Sequence, residues 1–373
     1  MKLRNVAVVA FAQEPLVAHD EHRTAQELLY LTVRRALAEA GVERDAFDLQ
    51  LAGSADYVDG KPFGFVQSLD VTGSWPPRQD SHLEMDAAFA AYYGWLRVQA
   101  EECDTVLVVG YGKNSEGDLN RVSNIRLDPY YQAAIGLEVT STSALQASAY
   151  MARSGATDRD LAEAVARSRA AGARNREALL QEVASADELQ KTPWAVEPLR
   201  RGYLAPTGDT AVCLLLAAEG KAEAMCARPA WIHGADQRTQ MQSLGARDLS
   251  RSESAALAAE RAMAMASVKS AHEVDAIELS AATPVEEMIL REAIGLDPRR
   301  EATPAINPSG GPLCGNPFMM TGLVRLGEAF RQVAGKAGEH TVPGVRRAIA
   351  HAAQGHCLQQ NLFFVLGSET RRA

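Results

Sequence analysis

Two rhythms of apolar residues organise this chain. VAVVAFAQ (6–13) is a continuous apolar run of strand length, and TAQELLYLTVRRALAEAG (24–41) places its apolar positions at helical spacing before Gly41 stops it. DLQLAGSADYV (48–58) reads as a second strand. The same order returns late in the chain as strand PAWIHGA (229–235), helix ESAALAAERAMAMAS (253–267) and strand VDAIELSAA (274–282). Val6 and Leu51 are 45 positions apart, as are Trp231 and Ala276. Equal spacing suggests a duplicated unit, although any two βαβ units share a spacing of this order.

Each unit continues in a matching way. SHLEMDAAFAAYYGWLRVQAEE (81–102) predicts a short strand running into a helix, and TVLVVGYG (105–112) a buried strand. In the second unit TPAINPSGG (303–311) predicts a strand and turn, and PFMMTGLVRLGEAFRQVAG (317–335) a helix. RRAIAHAA (346–353) and QNLFFVLGS (360–368) are the last strands. Strands alternating with helices imply parallel or mixed sheets covered on both faces. The stretch 115–208 departs from this rhythm. It is polar, Arg-rich and mainly helical, with an amphipathic helix at 158–180, and it ends where DTAVCLLLAA (209–218) supplies the closing strand of the first unit. Such an insertion reads as a cap over a site.

A length of 373 residues, 47% hydrophobic and 23% charged, suits a globular protein with two packed domains or one large double domain. The net charge of −9 argues against partners held by a basic surface, so neither nucleic acid nor an anionic membrane is expected. The N-terminal apolar run is too short for an export signal, and no run of about 18 apolar residues predicts a membrane span. Five cysteines (103, 213, 226, 314, 357) without a CxxC pair predict reduced thiols in a cytoplasm, with neither structural zinc nor a disulfide framework. No HExxH, P-loop or strand-borne GxGxxG is present, so no metal and no tightly bound cofactor is expected.

Four segments in order carry a family resemblance: VLVVGYGKNSEG (106–117), PTGDTAVCLLLA (206–217), VDAIELSAATPVEEMILREAIGL (274–296) and NPSGGPLCGNP (307–317). Together they resemble the thiolase superfamily over nearly the whole chain. DPYYQAAIGLEVTSTSALQASAYM (128–151), GARDLSRSESAA (245–256) and GHCLQQNLFFVL (355–366) are similar to the sterol-carrier-protein thiolases, and to the bacterial lipid-transfer branch linked to steroid side-chain degradation. The resemblance implies two tandem βαβαβαββ halves in an α/β/α/β/α arrangement. Residues 1–225 would form the first half with its insertion near 115–208, and 226–373 the second. It also implies a dimer or larger oligomer, in which the strand around 81–90 pairs across the twofold axis.

It implies a cysteine nucleophile at the start of the helix after the third strand, a position that falls at about Ala87 here. No residue from 82 to 102 is cysteine, and Cys103 at the far end reads as a structural thiol. The family's GHP histidine corresponds to Asn316, a donor or acceptor but not a base near neutral pH. The family's HDxF histidine falls at Ser280. The second family cysteine falls near Ala353, with Cys357 four residues on, either displaced chemistry or a small turn residue. Asn307 with the Gly310–Gly311 turn offers oxyanion donors. His351 and His356 flank that last loop as functional or structural histidines, and Asp86 is a base or a helix N-cap.

Two functions compete. One is non-covalent carbon–carbon bond chemistry on a coenzyme A ester; the resemblance to the lipid-transfer branch implies retro-aldol cleavage of a β-hydroxyacyl-CoA, in a branch whose enzymes commonly work with a small OB-fold, zinc-ribbon partner. The other is a non-catalytic scaffold paired with an active thiolase paralogue. In either case, four loops (85–88, 280–284, 307–317 and 353–358) are expected to meet beneath the insertion. Its arginines 153, 167, 169 and 174 are candidates for CoA phosphates.

Overall fold

The computed structural model describes residues 4–60, 62–73, 75–298 and 304–371. The predicted repeat is present strand for strand. The first half comprises β1 (Val6–Gln13), α1 (Ala25–Ala40), β2 (Leu49–Gly53), β3 (Gln79–Leu83), α2 (Ala87–Gln99) and β4 (Thr105–Lys113). The insertion follows, with α3 (Val139–Ser154) and α4 (Asp158–Gly172), before β5 (Asp209–Ala218) closes this half. The second half comprises β6 (Ala230–Thr239), α5 (Glu253–Met265), β7 (Ala276–Glu278), α6 (Pro284–Ala293), β8 (Ala305–Ile306), α7 (Thr321–Ala334), β9 (Arg347–Gln354) and β10 (Gln360–Gly367).

The strands lie in the spatial order β1-β5-β4-β2-β3 in one half and β6-β10-β9-β7-β8 in the other. Numbered within each half, both orders are first, fifth, fourth, second, third. In each half the first three are antiparallel neighbours and the last three parallel. A shared order with shared directions is much stronger evidence of duplication than a shared spacing. The halves join into one ten-stranded sheet through a seam between β1 and β6, where Ala7 pairs with Trp231 and Val8 with Ala230.

Helices cover both faces, which is why β4 and β5 are apolar along their whole length. α1 packs on β1, β5 and β4, and α5 on β6 and β10. α2 and α7 lie against each other, α2 also packing on β2 and β4 and α7 on β9, β7 and β1. Close approach there demands small residues. A Cβ on Gly322, near the start of α7, would sit 2.3 Å from the Ala352 Cβ and 2.6 Å from Asp86 Oδ1. β3 carries QDSHL, is partly exposed, and is an outer strand of the sheet.

Some predicted elements are shorter than their sequence patterns. The 274–282 strand is reduced to three residues and the 303–311 strand to two, with Thr303 outside the described residues. The helix expected over 158–180 ends at Gly172, and a chain of turns follows. Within the insertion, Trp194–Val196 and Leu199–Arg200 form a small separate ribbon. Among the described residues no helix is long and apolar enough to cross a membrane.

A buried polar network ties α7 to its surroundings. Arg325 Nη1 donates to Glu278 Oε2 at 2.5 Å and to Ser309 Oγ at 2.6 Å, and Ser309 Oγ donates to Glu278 Oε2 at 2.8 Å. Glu328 pairs with His340 at 2.7 Å and with Arg331, which reaches Glu177 of the insertion. An ion pair with both partners buried contributes little net stability, but losing one partner strands a charge in the core.

Candidate functional site

A cavity of about 120 Å³ lies where the insertion meets the second half. Its roof is Ser123, Arg126, Val139, Thr142 and Ser143. Its floor comes from Ser280, Ala282 and Glu286, from Asn316, Phe318, Met319 and Thr321, and from the turn 353–358. Three of the four expected loops therefore meet there. The fourth stops one residue short: the Asp86 backbone N–H donates to Gln354 Oε1 at 3.3 Å, and it is Gln354 that lines the cavity.

Asn316 is held by its acceptor side. Its Oδ1 receives the Phe318 backbone N–H at 3.1 Å and the Thr321 hydroxyl, and its own backbone N–H donates to Pro206 O at 2.8 Å. The Phe318 amide can only donate, which fixes Oδ1 toward it. Nδ2 has no protein partner among the described residues, and the residue lines the cavity wall. In the roof, Ser123 Oγ is likewise buried without a partner.

His356 clamps the β9–β10 turn to the roof. Its Nε2 donates to Ser123 O at 3.2 Å, and Thr142 Oγ1 lies 3.1 Å from Nδ1. Arg247 donates to the carbonyls of His356 at 2.9 Å and Cys357 at 3.1 Å. Burial, helped by Arg126 and Arg247, pulls the His356 imidazole down to about 4, so it is neutral. Cys357 sits in the left-handed region with φ 54°, and its thiol faces Thr142 O at 3.3 Å. Burial, reinforced by Glu286, pushes that thiol up to about 12, which keeps it protonated.

The remaining candidates lie off the cavity wall. His351 is a satisfied core histidine: Nδ1 receives the Ser280 N–H at 3.3 Å and Nε2 donates to Asn361 Oδ1 at 2.9 Å, with Phe363 packed on the ring. Burial drives it down to about 4. Asn307 braces β7 by accepting the Leu279 N–H at 2.6 Å, and its Nδ2 is buried against the Gly311 turn. The Gly310 turn packs on Gly172 of α4, so these donors do not face the cavity. Asp86 caps two helices at once. Its Oδ1 accepts the Ala88 N–H of α2 and its Oδ2 the Gly322 N–H of α7, each at 2.8 Å. Burial raises its carboxyl to about 7 despite those donors.

Arg153 is paired with Glu292 at 2.5 Å, and Arg167 with Glu287. None of arginines 153, 167, 169 and 174 lines the cavity, whereas Arg126 does.

Sequence reasoning missed Glu286. It stands in TPVE (283–286), where Thr283 caps α6 by accepting the Glu286 N–H at 3.2 Å. Its Oε2 accepts the Ala282 N–H at 2.7 Å. Among the described residues its other oxygen has no hydrogen-bond partner, and the residue is 91% buried in the cavity wall. The capping signature was legible; that the side chain also borders a cavity was not.

The comparisons with known proteins agree with this architecture. A model of the "Thiolase C-terminal domain-like" family matches residues 235–368. Sterol carrier protein 2 of Gallus gallus is 38% identical over 108 residues, a match spanning 25% of this chain and only 20% of that protein. Acetyl-CoA acetyltransferase of Methanocaldococcus jannaschii is 25% identical over 89% of this chain and 90% of its own length. Among solved structures, an Ltp2-ChsH2(DUF35) aldolase superposes with a TM-score of 0.81 at 18% identity, covering 98% of both chains. A monomeric SCP2-thiolase-like protein from Mycobacterium smegmatis gives 0.77 at 18% identity, over 99% of this chain and 78% of its own.

Proposed function

We propose that the chain, whose second half matches a thiolase C-terminal domain-like family and whose fold is that of thiolases, stands on the sterol-carrier-protein and lipid-transfer side of that superfamily and makes or breaks a carbon–carbon bond in a coenzyme A ester without forming an acyl-enzyme. Retro-aldol cleavage of a β-hydroxyacyl-CoA with a bulky, steroid-like acyl part is the reaction this reading favours. What supports it is the pairing, at positions assigned by the family resemblance, of an alanine in place of the cysteine with an amide donor, Asn316, in place of the histidine. Where the family resemblance puts the cysteine stands Ala87, fully buried, and a Cβ on Gly53 would lie 2.9 Å from the Ala87 Cβ. The cavity thiol, Cys357, is a protonated, buried group. Asn316 meanwhile lines the cavity, and its amide nitrogen has no protein partner among the described residues, which suits a donor to a thioester carbonyl. Such donors stabilise an enolate by hydrogen bonding as its charge develops.

The test is to incubate the purified chain with 3-hydroxyacyl-CoAs of increasing bulk. Expected products are a shortened acyl-CoA and an aldehyde or ketone, with no mass added to the protein. A stable thioester on any cysteine would sink the reading.

A partner subunit is the second reading, favoured by a specific surface. Phe63, Trp75, Tyr130 and Tyr131 are 71%, 85%, 82% and 81% exposed, close in sequence to the outer strand β3 or in the insertion. Assembly through β3 into a dimer, with a thiolase paralogue, or with an OB-fold, zinc-ribbon protein would cover part of it. Light scattering of the chain alone and mixed with such a protein separates these assemblies. A cytoplasmic setting suits reduced, buried cysteines and a coenzyme A substrate.

A further inference from the structure

Retro-aldol chemistry needs a group that takes a proton from the β-hydroxyl and gives one to the α-carbon. The histidines are unavailable: His351 lies in the core, and His356 spends both ring nitrogens on the roof. Asp86 spends one oxygen on each of two helices. Glu286 differs from all three. One oxygen holds the Ala282 amide, the other has no hydrogen-bond partner among the described residues, and the residue lines the same cavity as Asn316.

Resting on the enolate reading above, we propose that Glu286 is the acid–base residue of this cavity. Its surroundings suit the role. Burial lifts the carboxyl to about 7, opposed only by the amides of Ala282 and Thr283. No cation lowers it. The other titratable groups around the cavity are the neutral His356 and the protonated Cys357 of the β9–β10 turn, with Arg126 on the roof. A carboxyl near neutrality is matched to both halves of a proton shuttle.

The step balances without any further reactant. Glu286 takes the β-hydroxyl proton as the Cβ–O bond becomes a carbonyl. The Cα–Cβ bond breaks and its electron pair passes to the α-carbon, forming a thioester enolate whose oxygen faces Asn316 Nδ2. Glu286 returns the proton to the α-carbon, releasing the shortened acyl-CoA and the aldehyde or ketone. A capping role alone explains the bond to Ala282 but needs nothing of the second oxygen.

Microscopic reversibility supplies a test that does not need the true substrate. Acetyl-CoA and propionyl-CoA are incubated with the protein in D2O, and deuterium at the α-carbon is followed by mass spectrometry. The native chain is expected to exchange, with a rate that rises as pH passes through about 7. Glu286→Gln keeps an acceptor for the Ala282 amide and should slow exchange by about 100-fold or more, with unchanged coenzyme A affinity and thermal midpoint. Glu286→Asp should retain a measurable rate with a shifted pH profile. If Glu286→Gln exchanges at the native rate, another group is the base and this assignment falls while the enolate reading stands. If the native chain does not exchange at all, both fall.

Discussion

The two halves share one topology, yet they contribute differently to the site, and the difference lies in the crossing from the fourth strand to the fifth. In the second half that crossing is the turn between β9 and β10; in the first it is the long insertion between β4 and β5. The corresponding junctions before the two central helices diverge as well. At the start of α2, Asp86 and Ala87 are sealed in the core, whereas at the start of α7, Asn316 and Thr321 open onto the cavity. The first half thus supplies a roof and the second a floor with polar groups. Equivalent junctions of a duplicated unit take different parts, one packed into the core and the other lining the cavity.

The largest effects should come from the buried polar groups, at the sealed junction and in the Arg325–Glu278 pair. If Asp86 is structural, Asp86→Ala removes the cap from α2 and α7 together. At about 1–2 kcal/mol per cap, the loss should be roughly 2–4 kcal/mol, read as a lower denaturant midpoint. An unchanged midpoint would mean that Asp86 is not a cap and would reopen its candidacy as a base. Arg325→Ala, which strands Glu278 in the core, should cost a comparable ~3–5 kcal/mol.

Titration sharpens the same contrast. Asp86 moves from 3.8 to about 7 on folding, so between those values the folded chain holds a proton that the unfolded chain has released. Its contribution to stability therefore falls as pH rises through that window. His351 and His356 move from 6.5 to about 4, so the unfolded chain binds protons the fold refuses, and their contribution rises with pH over 4 to 6.5. In the native chain the two trends oppose each other. Asp86→Asn removes one of them, and its stability relative to the native chain should improve steadily from about pH 4 to 7, by a few kcal/mol at most at ~1.4 per pKa unit. A constant difference across that range would show that the Asp86 carboxyl is ionised throughout in the fold.

At the open junction the expected effect is on turnover. Asn316→Ala should lower turnover by more than about tenfold, or ~1.4 kcal/mol of transition-state stabilisation, while coenzyme A affinity stays within twofold. Equal losses in both would make Asn316 a binding residue.

Much of this was legible in the sequence, and the reasons are physical. The repeat shows because strands and helices impose different apolar periods, and the insertion because its polarity breaks them. β7 and β8 were overestimated because an apolar run does not reveal where hydrogen-bonded pairing stops. The seam between β1 and β6 leaves no trace at all, since two paired residues need no special composition. Asn316 could be placed on the cavity from its motif. His351 could not be placed, because alternation along β9 does not say which face is the core. Glu286 was hidden by the adequacy of its capping role.

The smallest expected effect concerns the thiols, and it tests the premise that neither half retains a nucleophile. All five cysteines are buried. Cys103 and Cys314 are raised to about 11 and Cys357 to about 12, in each case chiefly by burial. A thiol at 12 is ionised to about one part in 10⁵ at pH 7, far too little to compete as an attacking group. Only Cys357 borders the cavity, and its Sγ is turned to Thr142 O at 3.3 Å. Cys357→Ala removes that contact and a little volume, so turnover should change by less than about threefold, and native protein should resist iodoacetamide until it is unfolded. Rapid alkylation of Cys357 in the native chain, with activity lost in step, would return a nucleophile to the floor of the cavity.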